Sequence, residues 1–302
     1  MSQPVPPTAP SFRLRLMRPA VSAFFALGKL TRRPPKAPAG VVEHRYGEDP
    51  AERIEYIAPK PGAPSRAAVV YIHGGGWVLG KKESYSPFLS FLAEAGYPVF
   101  NVEYPLAPEH PHPELLRSLF SALDWIAAEH PEVERYHVMG DSAGGNLAMM
   151  VGLFAHNPNL LDAVAPERES LPLQCQTVVS LYGVLDRLSW IEDGFPGADM
   201  MMESYAGKAS FEKEVGPEIA ITPMDLDFET APPTLLTVGT EDQLLRSSRI
   251  FAERLGAGVG KVRLIEYPGE GHGFFNFGKT KSDQQMNADI LDFLAAEDPG
   301  NP

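Results

Sequence analysis

A serine framed by glycines has the setting of an enzyme nucleophile. Ser142 stands at the centre of the pentapeptide 140–144, which reads Gly-Asp-Ser-Ala-Gly. The pentapeptide follows an apolar run and opens an apolar helical pattern, the context in which a G-x-S-x-G sequence forms a strained strand-to-helix turn. Gly140 and Gly144 would let the strand and the helix pass close to each other. The sequence therefore predicts that Ser142 attacks a carbonyl carbon.

A run of glycines offers the backbone donors that such an attack needs. Residues 73–77 read His-Gly-Gly-Gly-Trp and follow another apolar run. Acyl transfer passes through a tetrahedral oxyanion, and each fixed amide aimed at it contributes about 3 kcal/mol. We predict that Gly75, Gly76 and Ala143 supply these amides and that His73 is structural. A flexible glycine turn is the alternative.

A base and a carboxylate follow later in the chain. His272 lies in a glycine-framed loop after the strand-like run that ends at Tyr267; six of the other seven histidines lack a comparable position, and His73 is interpreted as structural. A neutral imidazole can take the serine proton and return it to the leaving group. Asp242 follows an earlier strand-like run and would hold the imidazole in the required tautomer. Glu241 is the competing carboxylate, and a helix-capping role for Asp242 is a further alternative.

The elements that must position these residues alternate along the chain. Strand-like runs occupy 41–46, 53–58, 67–72, 98–102, 137–140, 177–181, 234–238 and 262–267. Helical patterns occupy 87–95, 115–130, 144–155, 243–255 and 282–296. Such alternation predicts an α/β protein with a mostly parallel, eight-stranded sheet covered by helices on both faces. The first two strands lack an intervening helix and predict an antiparallel edge.

Two segments fall outside this alternation. Residues 186–222 combine glycines and prolines with short helical pieces and a run of three methionines, which predicts a functional insertion. A mobile surface loop is the alternative. Near the N-terminus, Val21, Phe24, Phe25 and Leu30 have helical spacing, which favours an amphipathic helix packed on the body; membrane-surface contact and a cleaved targeting segment remain open.

Composition excludes several classes of protein. The 302 residues carry a net charge of −13, although residues 1–36 hold seven Lys or Arg and no acid. An acidic body disfavours nucleic acid as a partner, and no apolar stretch reaches the length of a membrane span, so stable membrane insertion is not expected. The single cysteine, Cys175, excludes an internal disulfide. His110 and His112 share a loop, but two histidines are weak evidence of a metal site, so no metal is expected there.

The motifs together resemble the hormone-sensitive-lipase-like esterases, also called bacterial family IV, of the α/β-hydrolase superfamily. The likeness covers roughly residues 65–295. It rests on four groups of residues: His73-Gly74-Gly75-Gly76-Trp77, Gly140-Asp141-Ser142-Ala143-Gly144, Asp242, and His272-Gly273-Phe274. Two departures affect local loops: Pro105 stands where the family commonly has Arg, and the residues after Asp242 lack the usual Pro and second Asp.

The resemblance implies a cofactor-free carboxylesterase acting on short- to medium-chain acyl esters of small molecules. It also implies a cap formed by residues 1–40 and 186–222 over a catalytic core formed by residues 41–185 and 223–302. A cytoplasmic location and pairing of two copies are further expectations, with export or membrane-surface association as alternatives for location. An amidase, arylformamidase or lactonase could use the same residues. A non-catalytic binding protein of this fold is the other alternative, and the presence of His272 argues against it.

Overall fold

Eight strands form one sheet in this computed structural model, which describes residues 6–12, 14–19, 38, 40–63, 66–277 and 281–298. The strands are β1 (Val42–Arg45), β2 (Arg53–Ile57), β3 (Ala68–Ile72), β4 (Val99–Val102), β5 (Arg135–Asp141), β6 (Gln174–Leu181), β7 (Thr234–Gly239) and β8 (Val262–Tyr267). All eight predicted strands are therefore present, with ends that differ by at most three residues.

The sheet is parallel except at one edge. Its strand order is β1-β2-β4-β3-β5-β6-β7-β8. Strand β2 runs antiparallel to both β1 and β4, and every other neighbouring pair is parallel. The predicted fold class and the antiparallel edge are both confirmed.

Helices connect the parallel strands. They are α1 (Ser90–Glu94), α2 (Glu114–Glu129), α3 (Ala143–His156), α4 (Leu161–Val164), α5 (Arg187–Glu192), α6 (Ala198–Ala206), α7 (Leu245–Arg254) and α8 (Lys281–Glu297), and residues 14–19 are also helical. The five predicted helices correspond to α1, α2, α3, α7 and α8. The prediction for α1 was too long, because Pro87 and Leu89 lie in turns before Ser90.

The core occupies both faces of the sheet. Alternate residues of β3 enter different apolar clusters: Val70 and Ile72 pack on one side, whereas Val69 and Tyr71 pack on the other. Each of these four side chains is at most 2% exposed. A strand that is buried on both sides reads as a continuous apolar run rather than an alternating one. This is why the central strands stood out in the sequence.

The insertion is made of short helices. Helices α5 and α6 are followed by 3₁₀ turns at Lys208–Phe211, Pro217–Ile219 and Pro223–Asp225. The buried Arg187 side chain organises them, because it donates to Asp225 and to the carbonyls of Ser210 and Glu212 at 2.7–2.8 Å. Such pairing satisfies a charge that burial would otherwise destabilise. The division of the chain into cap and core stays a prediction.

The N-terminal segment is attached to the body through the buried Leu14 side chain, through the Thr8 amide, which donates to the Pro108 carbonyl at 2.9 Å, and through Arg18. Arg18 donates to both carboxylate oxygens of Glu109 at 2.7 and 2.8 Å, and to the carbonyls of Val78 and Ala107 at 2.8 and 2.7 Å. The predicted amphipathic residues from Val21 to Leu30 lie outside the described residues. Among the helices that the structure does describe, none combines the length and apolar character needed to cross a membrane.

We expect Arg18→Ala to destabilise the fold. The substitution removes a charged donor from Glu109 and from two carbonyls, which corresponds to about 1–3 kcal/mol of unfolding free energy. Urea denaturation measures the loss. Arg15→Ala is the matched control, because exposed Arg15 donates to Pro10 in its own segment. Equal stability of the two variants would mean that the Arg18 contacts do not hold the segment in place.

Candidate active site

Ser142 occupies a strained turn between β5 and α3. Its backbone has φ 53° and ψ −119°, a region that residues with a side chain rarely adopt. The turn is held because the Ser142 amide donates to the Leu181 carbonyl at 2.8 Å. Neighbouring strand β3 comes very close: a Cβ at Gly140 would lie 2.6 Å from the Ile72 oxygen, and one at Gly144 would lie 2.5 Å from the His73 oxygen. The two flanking glycines are therefore required by close packing.

Ser142, His272 and Asp242 form one hydrogen-bonded chain. His272 Nε2 lies 2.9 Å from Ser142 Oγ, and His272 Nδ1 lies 2.9 Å from Asp242 Oδ2. A carboxylate can only accept, so Nδ1 carries the proton and Nε2 accepts from the serine hydroxyl. Asp242 Oδ1 also accepts from the Leu244 amide at 2.9 Å, which fixes the carboxylate. The Asp242 side chain is fully buried, whereas that of His272 is 23% exposed.

The competing carboxylate takes no part in this chain. Glu241 is exposed, and its backbone amide donates to the Glu270 carbonyl at 2.9 Å. Asp242 is buried beneath His272 instead. Of the two adjacent acids, the structure brings only Asp242 to the imidazole.

Sheet topology brings the three residues together. Ser142 follows β5, Asp242 follows β7 and His272 follows β8, and these strands run parallel. In an open parallel sheet, the loops beyond the carboxyl ends of the strands meet at one edge and form the binding crevice. Residues 130 positions apart can therefore reach hydrogen-bonding distance.

The glycine loop presents free amides beside Ser142. The Gly74 amide is already bonded to Asp141 Oδ1 at 2.7 Å. Gly75 and Gly76 have φ values of 127° and 57°, which turn the backbone sharply. Within the part of the chain that the structure describes, neither these two amides nor that of Ala143, the first residue of α3, donates to a protein acceptor. These are the three amides that the sequence predicted as oxyanion donors.

Asp141 joins the glycine loop to the nucleophile turn. Its buried carboxylate accepts from the Gly74 amide at 2.7 Å and from the hydroxyls of Tyr71 and Tyr85 at 2.8 and 3.2 Å. Burial and the neighbouring Asp141 charge raise the pKa of Tyr71 well above its usual value, so this hydroxyl stays protonated as a donor. The sequence analysis included Asp141 in the nucleophile motif but did not predict that its carboxylate binds the glycine loop. The signal was present, because β3 and β5 are adjacent strands and the two motifs follow their ends.

We expect Asp141→Asn to slow turnover more than it weakens substrate binding. The asparagine amide would face the Gly74 and Tyr71 donors, which displaces the loop that aims Gly75 and Gly76. A displacement of about 1 Å in such a site can cost on the order of 100-fold in rate. Steady-state kinetics on p-nitrophenyl acetate should show the loss in kcat. Asp162→Asn, at an exposed site in α4, is the control, and an Asp141→Asn variant with the kcat of this control would contradict the assigned role.

His73 is buried in the core beside the glycine loop. Its Nδ1 lies 2.8 Å from the Gly74 oxygen, and its ring stacks 4.3 Å from that of Tyr104. Full burial lowers the pKa of His73, which favours the neutral form. A neutral, stacked imidazole supports the glycine loop from within the core.

The described residues hold one cluster of groups with the spacing of metal ligands: Glu43, Glu55 and Glu83. The ammonium group of Lys82 lies among these carboxylates, at 2.5, 3.5 and 2.8 Å respectively. The lysine supplies the positive charge that the cluster requires. In the predicted two-histidine loop, burial lowers the pKa of His112 to about 3, and its Nδ1 lies 3.4 Å from the Tyr205 hydroxyl.

The insertion contacts both sides of the site, which sequence spacing did not show. A Cβ at Gly76 would lie 2.9 Å from Met201 Cγ and closer still to its sulfur. The Phe195 ring stands perpendicular to that of His272, with centroids 4.8 Å apart. Tyr205 also stacks on Trp77, the residue after the glycine run, at 4.7 Å. The insertion therefore lies against the glycine loop and the imidazole.

Comparison with known proteins places this geometry in a family. A family model described as the alpha/beta hydrolase fold matches residues 69–276. Esterase LipC of Mycobacterium tuberculosis is 29% identical over 247 residues, which cover 76% of this chain and 58% of that protein. Hormone-sensitive lipase of Mus musculus is 45% identical over 111 residues, which cover 34% of this chain and 14% of the lipase. The chain thus spans only part of the length of these two relatives.

A solved structure extends the likeness to almost the whole chain. Esterase B of Lactobacillus rhamnosis superposes with a TM-score of 0.78 at 20% identity, over 94% of this chain and 95% of that one. At 20% identity, this superposition shows a shared fold and nothing further. With the family match over residues 69–276, it confirms the fold class and the resemblance predicted from the motifs. The chain belongs to the α/β-hydrolase family, within which it resembles hormone-sensitive lipase and bacterial esterases.

Proposed function

We propose that this chain is a serine hydrolase that cleaves carboxylic esters, with Ser142, His272 and Asp242 as its catalytic residues. The observation that carries the proposal is the hydrogen-bonded chain from Ser142 Oγ through His272 to Asp242, with 2.9 Å at each step. The names of the relatives, esterase and lipase, agree with this chemistry.

The proposed first half-reaction forms an acyl-enzyme. Ser142 Oγ attacks the ester carbonyl carbon while His272 Nε2 takes the hydroxyl proton. The buried Asp242 carboxylate stabilises the imidazolium that results. His272 then gives the proton to the alcohol oxygen as the bond between carbon and that oxygen breaks. In the second half-reaction, water attacks the acyl group with His272 as the base again, and the acid is released.

The proposed oxyanion donors are the amides of Gly75, Gly76 and Ala143. The charge on the carbonyl oxygen appears only in the tetrahedral intermediate, so donors fixed in advance stabilise the transition state more than the substrate. The Asp141 carboxylate supports this arrangement, because it binds the preceding Gly74 amide at 2.7 Å. The start of α3 adds the positive end of a helix dipole.

We propose short- to medium-chain acyl esters of small molecules as the substrates, and no cofactor. Residues 1–40 and 186–222 would form the cap, and residues 41–185 and 223–302 the catalytic core. The positions of Met201 over Gly76 and of Phe195 beside His272 support this proposal, because apolar side chains of the insertion confine the space around Ser142.

A substrate panel tests the proposal against the alternatives that share these residues. The panel contains p-nitrophenyl acetate, butyrate and palmitate, p-nitroacetanilide as an amide, formanilide as an arylformamide and dihydrocoumarin as an aryl lactone. We expect kcat/KM to be highest for the acetate or butyrate. Faster hydrolysis of the anilide, the formanilide or the lactone would replace the esterase proposal with the corresponding activity. Binding without turnover of any compound would favour a non-catalytic protein.

A further inference from the structure

We propose that Phe195 forms the leaving-group side of the site and selects esters whose alcohol is a flat, apolar aryl group. The inference rests on the proposed function, and it adds a specificity residue and a class of alcohol. Phe195 lies in the turn between α5 and α6, outside every motif identified in the sequence.

The local sequence directs this ring at the imidazole. Phe195 and Pro196 stand between two glycines, Gly194 and Gly197, whose φ values of 71° and 77° are in the left-handed region. The Ala198 amide closes the turn by donating to the Phe195 carbonyl at 3.1 Å. Glycine adopts such backbone angles without strain. The turn therefore projects Phe195 from the insertion towards the core.

The ring is held on one side and partly open on the other. Trp190, which is 1% exposed, packs behind Phe195 with ring centroids 5.8 Å apart. Phe195 meets His272 at 4.8 Å with an interplanar angle of 84°. The Phe195 side chain is only half-buried, so part of its surface remains available for contact with a substrate.

The chemistry of ester cleavage fixes which part of the substrate comes here. His272 Nε2 must come within hydrogen-bonding distance of the alcohol oxygen, because it delivers the proton that lets this oxygen leave. The alcohol group is therefore adjacent to the imidazole and to Phe195. The oxyanion points away from it, to the amides of the glycine loop. Phe195 thus contacts the alcohol part of the substrate rather than the carbonyl oxygen.

Polarity around the turn favours an uncharged alcohol. Phe195 presents aromatic surface with Trp190 packed against it, and aromatic rings attract one another beyond the burial of their area. The nearby carboxylates of Glu192 and Asp193 are paired with Arg246 at 2.5 and 3.1 Å, so that arginine is already engaged. Because two carboxylates surround one guanidinium, the local charge is negative, and an ester whose alcohol part carries a negative charge is disfavoured. A flat, uncharged aryl alcohol can pack on the Phe195 ring and is not repelled by the Glu192 and Asp193 carboxylates.

The test compares phenyl acetate with cyclohexyl acetate, which share the acyl group and differ in whether the alcohol ring is aromatic. The measured quantity is the ratio of their kcat/KM values in each variant, so that the intrinsic reactivity of the two esters cancels between variants. We expect Phe195→Leu to lower the phenyl-to-cyclohexyl ratio by about two- to tenfold. Phe195→Tyr keeps the ring and should keep the ratio.

Control variants distinguish a specific effect of Phe195 from a general effect of changing a phenylalanine in the insertion. Phe211→Leu makes the same change at an exposed phenylalanine of the same insertion and should leave the ratio unchanged. Thermal unfolding checks that each variant is folded. A ratio in Phe195→Leu equal to that of the unmodified chain would overturn the proposal, as would an equal fall in Phe211→Leu. If the unmodified chain hydrolyses neither acetate, the esterase proposal itself fails.

Discussion

Ser142→Ala should lower kcat for p-nitrophenyl acetate by on the order of 10⁵- to 10⁶-fold, with the fold intact. In the proposed mechanism the substitution removes the atom that forms the acyl-enzyme, and the imidazole and the oxyanion amides cannot replace it, because the residues of such a triad act as one unit. The Ser142 hydroxyl bonds to the His272 imidazole. Losing this one hydrogen bond should change the free energy of unfolding only slightly. Stopped and continuous assays of nitrophenolate release measure the loss, and circular dichroism verifies the fold.

A matched serine makes this result specific. Ser121→Ala changes a hydroxyl in α2 that, among the residues the structure describes, donates only to the Arg117 carbonyl of its own helix, at 3.3 Å. This variant should keep the unmodified kcat. A Ser142→Ala protein that retains more than about one per cent of the unmodified rate would mean that another residue attacks the ester.

Asp242→Asn should lower kcat by about 10⁴-fold while leaving KM nearly unchanged. An asparagine amide can donate to His272 Nδ1, which would move the imidazole proton to Nε2. The nitrogen that faces Ser142 at 2.9 Å would then be unable to accept the hydroxyl proton. The loss therefore comes from the wrong tautomer rather than from altered packing, and kcat and KM measured together distinguish these causes.

The neighbouring acid provides the control. Glu241→Gln changes an exposed carboxylate one residue earlier, and its rate should match that of the unmodified chain. If Glu241→Gln were the slower variant, the assignment of the orienting carboxylate would be reversed. If both were fast, His272 would not need a carboxylate partner in this protein.

The sequence predicted the sheet, and the meeting of Ser142, Asp242 and His272, because both follow from local patterns. Continuous apolar runs such as Ala68–Ile72 mark strands that are buried on two faces. Ser142 and Asp242 follow runs of this kind, His272 follows the edge strand β8, and parallel strands bring their carboxyl ends to one edge of the sheet. Knowing the strands was therefore nearly enough to predict that the three residues meet.

Other contacts depend on how separate segments pack, and local spacing carries no signal for that. Arg18 reaches Glu109 from 91 residues away, and Phe195 meets His272 from a turn without regular periodicity. The sequence predicted that the insertion is functional, but not which of its side chains face the imidazole. Only the packed structure identifies Phe195 as a candidate for selecting the alcohol.

Covalent labelling tests the central claim, that Ser142 is the nucleophile, most directly. A p-nitrophenyl alkylphosphonate places an electrophilic phosphorus where the ester carbonyl carbon would lie, so attack by Ser142 Oγ forms a stable phosphonyl-serine and releases p-nitrophenolate. Intact-mass and peptide mass spectrometry should find one phosphonyl group per chain, on the peptide that contains Ser142. Label appearance should parallel the loss of esterase activity, and Ser142→Ala should remain unlabelled. A label on a different residue, or full inactivation without a label on Ser142, would contradict the account.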